Sequence, residues 1–222
     1  MIATLFDFDG VLVDSEPLHL AAFNAVLQAH GQTIDPRSYV ERYLSLDDAG
    51  VFRSFLGETR RQAVPDAELA RLIEIKSERV MTLLEERVPA YSGASELVLR
   101  RAGRGPVGIV SGALAREIAF ALGRMGVLDA VSFIVSAEST ALSKPDPAPY
   151  RAALDELRRR SHGGSVVAVE DSIGGIRSAK SAGLRCVAVA HTYDSNTLSE
   201  AGADAVAPDL PALTDALIES DP

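Results

Sequence analysis

The chain has 222 residues, of which 47% are hydrophobic and 24% are charged, and its formal net charge is −9. This composition is typical of a soluble globular protein that is long enough to bury a substantial core. The negative charge disfavours nucleic acid and an anionic membrane surface as main partners. It leaves a small anionic substrate open, because local fields in a cleft can oppose the global charge.

The single cysteine, Cys186, makes an intrachain disulfide impossible and indicates a reducing compartment. Its apolar neighbours favour an inert core residue over a nucleophile. The sequence contains neither a basic leader nor an apolar stretch of about 18 residues, so we expect no membrane association and a cytoplasmic location. No self-complementary apolar patch is evident in the sequence, and a monomer is expected.

The first part of the chain combines one strand with a long helical block. Residues 2–7 form an apolar run that predicts a buried β-strand. Residues 16–30 carry apolar side chains at helical spacing, and further helical patterns cover 36–44, 47–57 and 66–87. Since nothing between 16 and 88 resembles a strand buried on both faces, we interpret residues 15–88 as an all-helical insert.

From residue 92 onward, strands and helices alternate. Strands are predicted at 106–110, 133–135, 166–169, 184–190 and 205–206. Helices are predicted at 92–102, 113–125, 147–160, 173–182 and 210–219. This alternation requires right-handed crossovers and predicts an α/β fold with a doubly wound parallel sheet. The core is expected to comprise residues 1–14 and 89–222.

The first predicted strand ends in two carboxylates, Asp7 and Asp9, followed by Gly10. Open α/β sheets bind ligands at this edge. Two neighbouring carboxylates repel each other, so they require a metal ion, a proton or distinct roles. One can attack phosphorus to form an aspartyl phosphate, and the other can protonate the leaving oxygen and later activate water. Acidic turn residues without chemistry are the structural alternative.

Three other polar sites follow predicted strands. Ser111 and Gly112 precede a predicted helix, where a hydroxyl and backbone amides can hold an anion or simply cap the helix. Lys144, one of only three lysines, lies in a loop stiffened by two prolines and can neutralise phosphoryl oxygens, unless it is a solvated loop residue. Glu170 and Asp171 end a buried strand and suit Mg²⁺, although Asp171 can also serve as a helix cap.

These motifs, together with Asp14–His19 and the helical insert, resemble the haloacid dehalogenase-like (HAD) superfamily of phosphotransferases, and within it the β-phosphoglucomutase-like branch. The resemblance implies a Rossmann-like core over 1–14 and 89–222 with an inserted helical cap over 15–88. It also implies a small phosphorylated metabolite as the binding partner. An acid at the second aspartate position separates this pattern from that of true haloacid dehalogenases.

The resemblance assigns roles to individual residues. Asp7 would be the nucleophile, Asp9 the general acid/base and Lys144 the charge-stabilising cation, and the transferring phosphoryl group would be held by Ser111 and a backbone amide of Gly112 or Ala113. Mg²⁺ would bind the Asp7 carboxylate, the Asp9 backbone carbonyl and Asp171, with Glu170 as a further ligand or as the partner of one.

In the insert, the resemblance indicates three candidate substrate residues: His19, Arg42 and Arg53. His19 would hydrogen-bond the acid/base region, although a half-exposed helix histidine is the alternative. Mutases of this branch hold a second phosphate with basic residues in the loop that corresponds to 41–49. The expected lysine-glycine pair is absent from that loop, and Asp47 and Asp48 would repel phosphate.

The sequence therefore predicts a Mg²⁺-dependent phosphatase that hydrolyses a small phosphorylated metabolite, such as a sugar phosphate, through an aspartyl-phosphate intermediate. Two alternatives remain open. One is a β-phosphoglucomutase-type phosphosugar mutase, which would pass the phosphoryl group to a sugar hydroxyl. The other is a catalytically idle module that senses phosphate. The sequence does not specify the substrate, because specificity in such folds depends on cap loops.

Overall fold

A computed structural model describes residues 1–44 and 46–220. The chain divides into two compact units, Met1–Asp14 with Val88–Pro222, called here the core unit, and Ser15–Arg87, called the insert. Among the described residues, no helix combines the length and the apolar character that crossing a membrane requires.

The described residues of the insert are helical throughout their regular elements. Its helices are α1 (Glu16–Gln28), α2 (Pro36–Ser38) running into a π-helical turn (Tyr39–Tyr43), α3 (Asp48–Arg60) and α4 (Asp66–Glu86). Phe23 and Phe52 lie at the centre of the insert's apolar core, with ring centroids 5.1 Å apart in an edge-to-face arrangement. Such aromatic pairs stabilise the packing of α1 on its neighbours.

The core unit contains one six-stranded sheet in which every pairing is parallel, with strand order β3-β2-β1-β4-β5-β6. The strands are β1 (Ala3–Phe6), β2 (Val107–Val110), β3 (Phe133–Val135), β4 (Val166–Glu170), β5 (Arg185–Val189) and β6 (Ala205–Ala207). The chain builds outward from β1 in both directions, so the topological switch point lies at β1. The predicted α/β fold class is confirmed.

Helices cover both faces of this sheet. They are α5 (Ala94–Ala102), α6 (Ala115–Arg124), α7 (Ala148–Arg159), α8 (Ile173–Ser181), α9 (Ser195–Glu200) and α10 (Asp215–Glu219). Strand residues such as Phe6 and Val169 pack with α5, α6 and α10, whereas their neighbours Leu5 and Ala168 pack with α7, α8 and α9. Both faces are therefore apolar, which explains why the strands are near-continuous hydrophobic runs. Cys186 lies buried in the second face, as the sequence predicts.

Helix boundaries near the C-terminus differ most from the predicted ones. Helix α10 begins at Asp215 rather than at residue 210, because the Thr214 hydroxyl accepts from the Leu217 amide and starts the helix there. Helix α9 has no predicted counterpart. It is only six residues long and buries only Leu198, so it carries no periodic apolar signal.

Candidate active site

The carboxyl ends of the central strands bring the predicted core residues together. Asp7 directly follows β1, Ser111 directly follows β2, and Glu170 is the last residue of β4 with Asp171 next to it. Since β1 pairs with both β2 and β4, these side chains lie at one edge of the sheet. Lys144 reaches the same edge from the connection between β3 and α7.

The Lys144 ammonium donates hydrogen bonds to three acceptors. It donates to Asp7 Oδ1 at 2.8 Å, to Glu170 Oε1 at 2.6 Å and to the Val110 carbonyl at 2.8 Å. Burial alone would lower the pKa of this ammonium, but the charges of Asp7 and Glu170 outweigh burial and raise the pKa. The side chain is therefore a fixed, permanently charged cation rather than a solvated loop lysine.

Asp7 lies at a position where a negative charge is unfavourable. Burial raises its pKa well above the usual range, Lys144 opposes that shift, and repulsion from Glu170 and Asp171 adds to it. Asp7, Glu170 and Asp171 each offer a carboxylate oxygen, and these oxygens lie within 4.8 Å of one another. Three buried carboxylates facing one ammonium leave an excess of negative charge, so this set of hard oxygen donors fits a divalent cation such as Mg²⁺.

Gly10 permits the close approach of two loops at this site. Its φ of +76° lies in the left-handed region, and a Cβ there would come within 2.0 Å of Asp171 Oδ2. Asp171 therefore packs directly against the backbone that follows Asp9. The Thr192 hydroxyl donates to the same Asp171 oxygen.

Glu170 is fully buried and is held by more than Lys144. The hydroxyl of Tyr150 in α7 donates to Glu170 Oε1 at 2.6 Å, and this tyrosine is fully buried as well. Burial, reinforced by the charge of Glu170, raises the pKa of Tyr150 well above its usual value, so the phenol stays a neutral donor. Sequence reasoning missed Tyr150, because a tyrosine on the apolar face of a helix is ordinarily a core residue.

Ser111 links the phosphate-site candidates to Asp9. Its hydroxyl donates to Asp9 Oδ2 at 3.0 Å and accepts from the Ala113 amide at 2.9 Å. Of the two predicted backbone donors, Ala113 is thus already used by Ser111. Gly112 has open space beside its Cα, since a Cβ there would meet nothing within 4 Å.

The amino terminus of α6 differs from the predicted anion site. The helix begins at Ala115, two residues after the predicted start at 113, and the Ala115 amide donates to the Glu138 carboxylate at 2.9 Å. A protein carboxylate thus covers this helix terminus. The remaining candidate for the predicted anion site is the segment of residues 111–113, where Gly112 has open space beside its Cα.

The two predicted arginines of the insert contact carboxylates of the insert. Arg42 Nη2 lies 2.6 Å from Glu58 Oε2, and Arg53 Nη2 lies 3.1 Å from Asp66 Oδ1, both pairs being exposed. The Asp47 carboxylate accepts from the Gly50 amide at 2.7 Å and caps α3. This loop acid therefore has a local structural role.

His19 lies inside the insert beside a buried lysine. Its Nδ1 is 2.6 Å from Lys76 Nζ, which also donates to Asp48 Oδ1 at 2.8 Å. Lys76 is only 1% exposed, so it is a buried cation of the insert. Ser45, which belongs to the predicted loop 41–49, lies outside the described residues.

Similarity to known proteins extends over nearly the whole chain. A family model described as haloacid dehalogenase-like hydrolase matches residues 4–189. The chain is 30% identical over 205 residues to validoxylamine A 7′-phosphate phosphatase of Streptomyces hygroscopicus subsp. limoneus, and this match covers 89% of each protein. It is also 30% identical over 221 residues to phosphorylated carbohydrates phosphatase of Thermotoga maritima, covering 93% of this chain and 94% of the relative.

Among solved structures, the crystal structure of CbbY from Rhodobacter sphaeroides in complex with phosphate matches with a TM-score of 0.81 and 27% sequence identity. That match covers 98% of this chain and 99% of CbbY. The similarity therefore includes both the core unit and the insert.

Proposed function

The chain belongs to the haloacid dehalogenase-like hydrolase family as a phosphoric monoester hydrolase, and we propose that it is a Mg²⁺-dependent phosphatase working through an aspartyl-phosphate intermediate. The observation that carries the proposal is the position of Lys144, which holds Asp7 and Glu170 together beside Asp171. A buried nucleophile, a fixed cation and a hard-oxygen donor set at one sheet edge match the needs of phosphoryl transfer.

In the first step, a carboxylate oxygen of Asp7 forms a bond with phosphorus while the bond between phosphorus and the leaving oxygen breaks. The proton of the Asp9 carboxyl group moves to that leaving oxygen, which departs as an alcohol. Lys144 fixes the Asp7 carboxylate through Oδ1 and lies where it can offset charge on the transferring group.

In the second step, Asp9 acts as a base. Its carboxylate takes a proton from water, the resulting hydroxide attacks phosphorus, and the bond to Asp7 breaks to give inorganic phosphate and a free carboxylate. The hydrogen bond from Ser111 to Asp9 Oδ2 supports this role, because it holds Asp9 beside the turn of residues 111–113 that would bind the phosphoryl oxygens.

We assign Mg²⁺ binding to the carboxylates of Asp7 and Asp171 and the backbone carbonyl of Asp9. When bound, the ion would neutralise charge on the phosphoryl oxygens. Glu170 is better suited to be the partner of Lys144 than a ligand, because its Oε1 already accepts hydrogen bonds from Lys144 and Tyr150. The structure of the donor set thus supports two protein carboxylates, which is usual for Mg²⁺.

We propose a phosphorylated sugar or a similar small polyol phosphate as the substrate. Two relatives that match most of the chain support this proposal. One is a phosphatase of validoxylamine A 7′-phosphate, and the other is a phosphatase of phosphorylated carbohydrates. The substrate would be a monoester whose leaving group is an alcohol, which is the case that requires Asp9 as an acid.

The mutase alternative differs only in the acceptor of the phosphoryl group. It requires cations for a second phosphate, and Arg42 and Arg53 are both paired with carboxylates of the insert. Incubation with β-glucose 1-phosphate and a trace of the bisphosphate separates the two activities. Free phosphate supports the hydrolase, and glucose 6-phosphate supports the mutase. Turnover of any aryl phosphate with Mg²⁺ excludes an idle phosphate-sensing module.

The proposal is tested by phosphate release from a panel of phosphorylated sugars with Mg²⁺ and with EDTA. Replacing Asp7 by Asn should lower kcat by a factor on the order of 10³ or more while the circular dichroism spectrum is retained. Asp129→Asn, which alters an exposed aspartate in a 3₁₀ turn of the core unit, is the matched control and should be fully active. Phosphatase activity in Asp7→Asn comparable to that of the control would refute the nucleophile assignment.

A further inference from the structure

Two consecutive residues beyond the end of β5, His191 and Thr192, contact the two loops that carry the proposed metal ligands. His191 contacts the loop after β1, and Thr192 contacts the loop after β4. Neither residue stands out in the sequence, since a His-Thr pair after a strand matches no motif. The arrangement nevertheless joins both loops to the turn that follows β5.

The hydrogen bond of His191 defines which of its nitrogens carries a proton. Its Nδ1 lies 2.8 Å from the Gly10 carbonyl oxygen. A carbonyl can only accept, so Nδ1 is the donor in this pair. The Gly10 amide donates to the Val13 carbonyl at 2.8 Å. The peptide groups on both sides of Gly10 are therefore fixed, and with them the orientation of the Asp9 carbonyl, which shares a peptide plane with the Gly10 amide.

The ring of His191 is itself held in place. It stacks on Tyr91 with ring centroids 3.8 Å apart and an interplanar angle of 18°. The Tyr91 amide donates to the Leu12 carbonyl at 3.0 Å, so Tyr91 belongs to the same loop assembly. The imidazole thus has little freedom to leave Gly10, and the loop after β1 is supported from two directions.

Thr192 acts on the other ligand. Its hydroxyl donates to Asp171 Oδ2, the oxygen that packs against Gly10. Asp171 is 3% exposed, so water contributes little to fixing this carboxylate. The hydroxyl therefore selects one orientation of Asp171, and the position of its other oxygen follows.

We propose that His191 and Thr192 are positioning residues that together set the distance and orientation between the Asp9 carbonyl and the Asp171 carboxylate, and thereby the affinity for the divalent cation. This inference rests on the proposed function, because it assumes that these two groups are ligands. Removing a hydrogen bond to a ligating group typically lowers the affinity for the metal ion by roughly 10- to 100-fold. A purely structural role would change the stability of the metal-free protein instead.

The experiment measures Mn²⁺ dissociation constants by calorimetry on the full chain, since Mn²⁺ shares the oxygen preference of Mg²⁺. Thr192→Val removes the hydroxyl at constant shape and should raise the dissociation constant about 10-fold or more. Thr192→Ser restores the donor and should bring the constant back to within about 3-fold of wild type. Thr197→Val is the matched control, because Thr197 Oγ1 donates to Asp194 at 2.8 Å outside the site.

Two further variants separate the donor of His191 from its stacking. His191→Phe keeps a ring beside Tyr91 but removes the N–H, and should weaken Mn²⁺ binding. His191→Asn loses the ring but keeps a donor, and should bind Mn²⁺ more tightly than His191→Phe. Thr192→Val should recover most of the wild-type kcat at saturating Mg²⁺, because the substitution lowers the affinity for the metal ion.

Mn²⁺ constants within twofold of wild type in both Thr192→Val and His191→Phe would overturn the inference while leaving the proposed phosphatase intact. A wild-type chain that binds no Mn²⁺ would overturn both the inference and the metal assignment. Melting of each metal-free variant in EDTA monitors folding. If Thr192→Val melts far below wild type there, the comparison of His191→Phe with His191→Asn decides the question by the same criterion.

Discussion

The Ser111 hydroxyl donates a hydrogen bond to Asp9 Oδ2 across 3.0 Å while it accepts another from the Ala113 amide at 2.9 Å. A hydroxyl carries a single proton, so this proton cannot point at Asp9 and at a phosphoryl oxygen at once. The proposed function therefore gives Ser111 two tasks that compete for one proton, holding Asp9 and binding the substrate phosphate. Both tasks depend on the hydroxyl rather than on the volume of the side chain.

Replacing Ser111 by Ala should lower kcat/KM by a factor on the order of 10², because one hydrogen-bond donor is removed from the site of charge development. Ser111→Thr retains the hydroxyl and should lose much less. The measurement is steady-state phosphate release at saturating Mg²⁺. Ser199→Ala is a suitable control, since the Ser199 hydroxyl bonds the Ser195 carbonyl on exposed helix α9. An alanine variant at position 111 as active as that control would contradict the assignment.

The sheet and the position of the site could be predicted from sequence for a simple physical reason. Parallel strands buried on both faces are continuous apolar runs, and the boundaries of β3 are as predicted. In a parallel sheet all carboxyl ends lie at one edge, so polar residues that follow β1, β2 and β4 must come near one another. The proximity of Asp7, Ser111 and Asp171 follows from topology alone.

The rest of the site depends on contacts that have no sequence period. Tyr150 occupies an ordinary apolar helix position, and only its distance to Glu170 reveals its role. The pairing of Arg42 with Glu58 joins residues 16 positions apart in the chain, and no local pattern marks it. Helix α9 was missed because its start depends on the Asp194 side chain, which accepts from two backbone amides, rather than on apolar spacing.

Tyr150→Phe should destabilise the protein by about 1.5–3 kcal/mol, the usual contribution of a hydrogen bond to a charged group. The cause is that Glu170 Oε1, fully buried, would keep Lys144 but lose the phenol donor at 2.6 Å. Urea denaturation followed by circular dichroism gives the free energy of unfolding. The same variant should also show a reduced kcat, since Lys144 loses part of its support.

Tyr43→Phe provides a tyrosine control, because this buried residue of the insert keeps its edge-to-face ring contact with Phe55 when the hydroxyl is removed. Comparable losses of stability in the two phenylalanine variants would show that the Tyr150–Glu170 bond contributes nothing specific. A loss confined to Tyr150→Phe agrees with the structure.

In the insert, loss of Asp48 and loss of Lys76 should destabilise the protein by different amounts, although the two residues form one ion pair. The Lys76 side chain is 1% exposed, whereas that of Asp48 is 29% exposed. Asp48→Ala leaves the buried ammonium beside His19 but without the Asp48 carboxylate and should cost about 3 kcal/mol, while Lys76→Met leaves a carboxylate that water can reach and should cost about 1 kcal/mol. Urea midpoints of the full chain measure the difference.

Glu85→Gln, at an exposed position of α4, is the control for charge removal in the insert and should leave the midpoint unchanged. If Lys76→Met were the less stable of the two variants, the ion pair would not be governed by the burial of its cation. Equal midpoints would contradict the expected order as well.

Glu219 predicts a specific acid dependence of stability. Hydrogen bonds from Arg104 and Arg101 lower the pKa of this carboxyl from its usual 4.5 to about 2. Because the folded-state pKa lies below that of the unfolded chain, the carboxylate contributes stability that is fully present above pH 4.5 and is lost as the pH falls towards 2. Glu219→Gln should therefore melt lower than wild type at neutral pH, and the difference should shrink in acid.

Melting temperatures of wild type and Glu219→Gln between neutral pH and about pH 2.5 test this linkage. Other carboxylates also titrate in that range, but they do so in both proteins, so only the difference between the curves reports on Glu219. The side chain of Arg101 is fully buried, and its Nη1 lies 2.5 Å from Glu219 Oε1 and 2.9 Å from Asp215 Oδ1. Loss of the Glu219 charge therefore removes one of these two carboxylate partners from a buried cation. Glu200→Gln, on exposed helix α9, should follow wild type throughout. Parallel curves for wild type and Glu219→Gln across the whole range would show that the ion pairs of Glu219 do not stabilise the folded state.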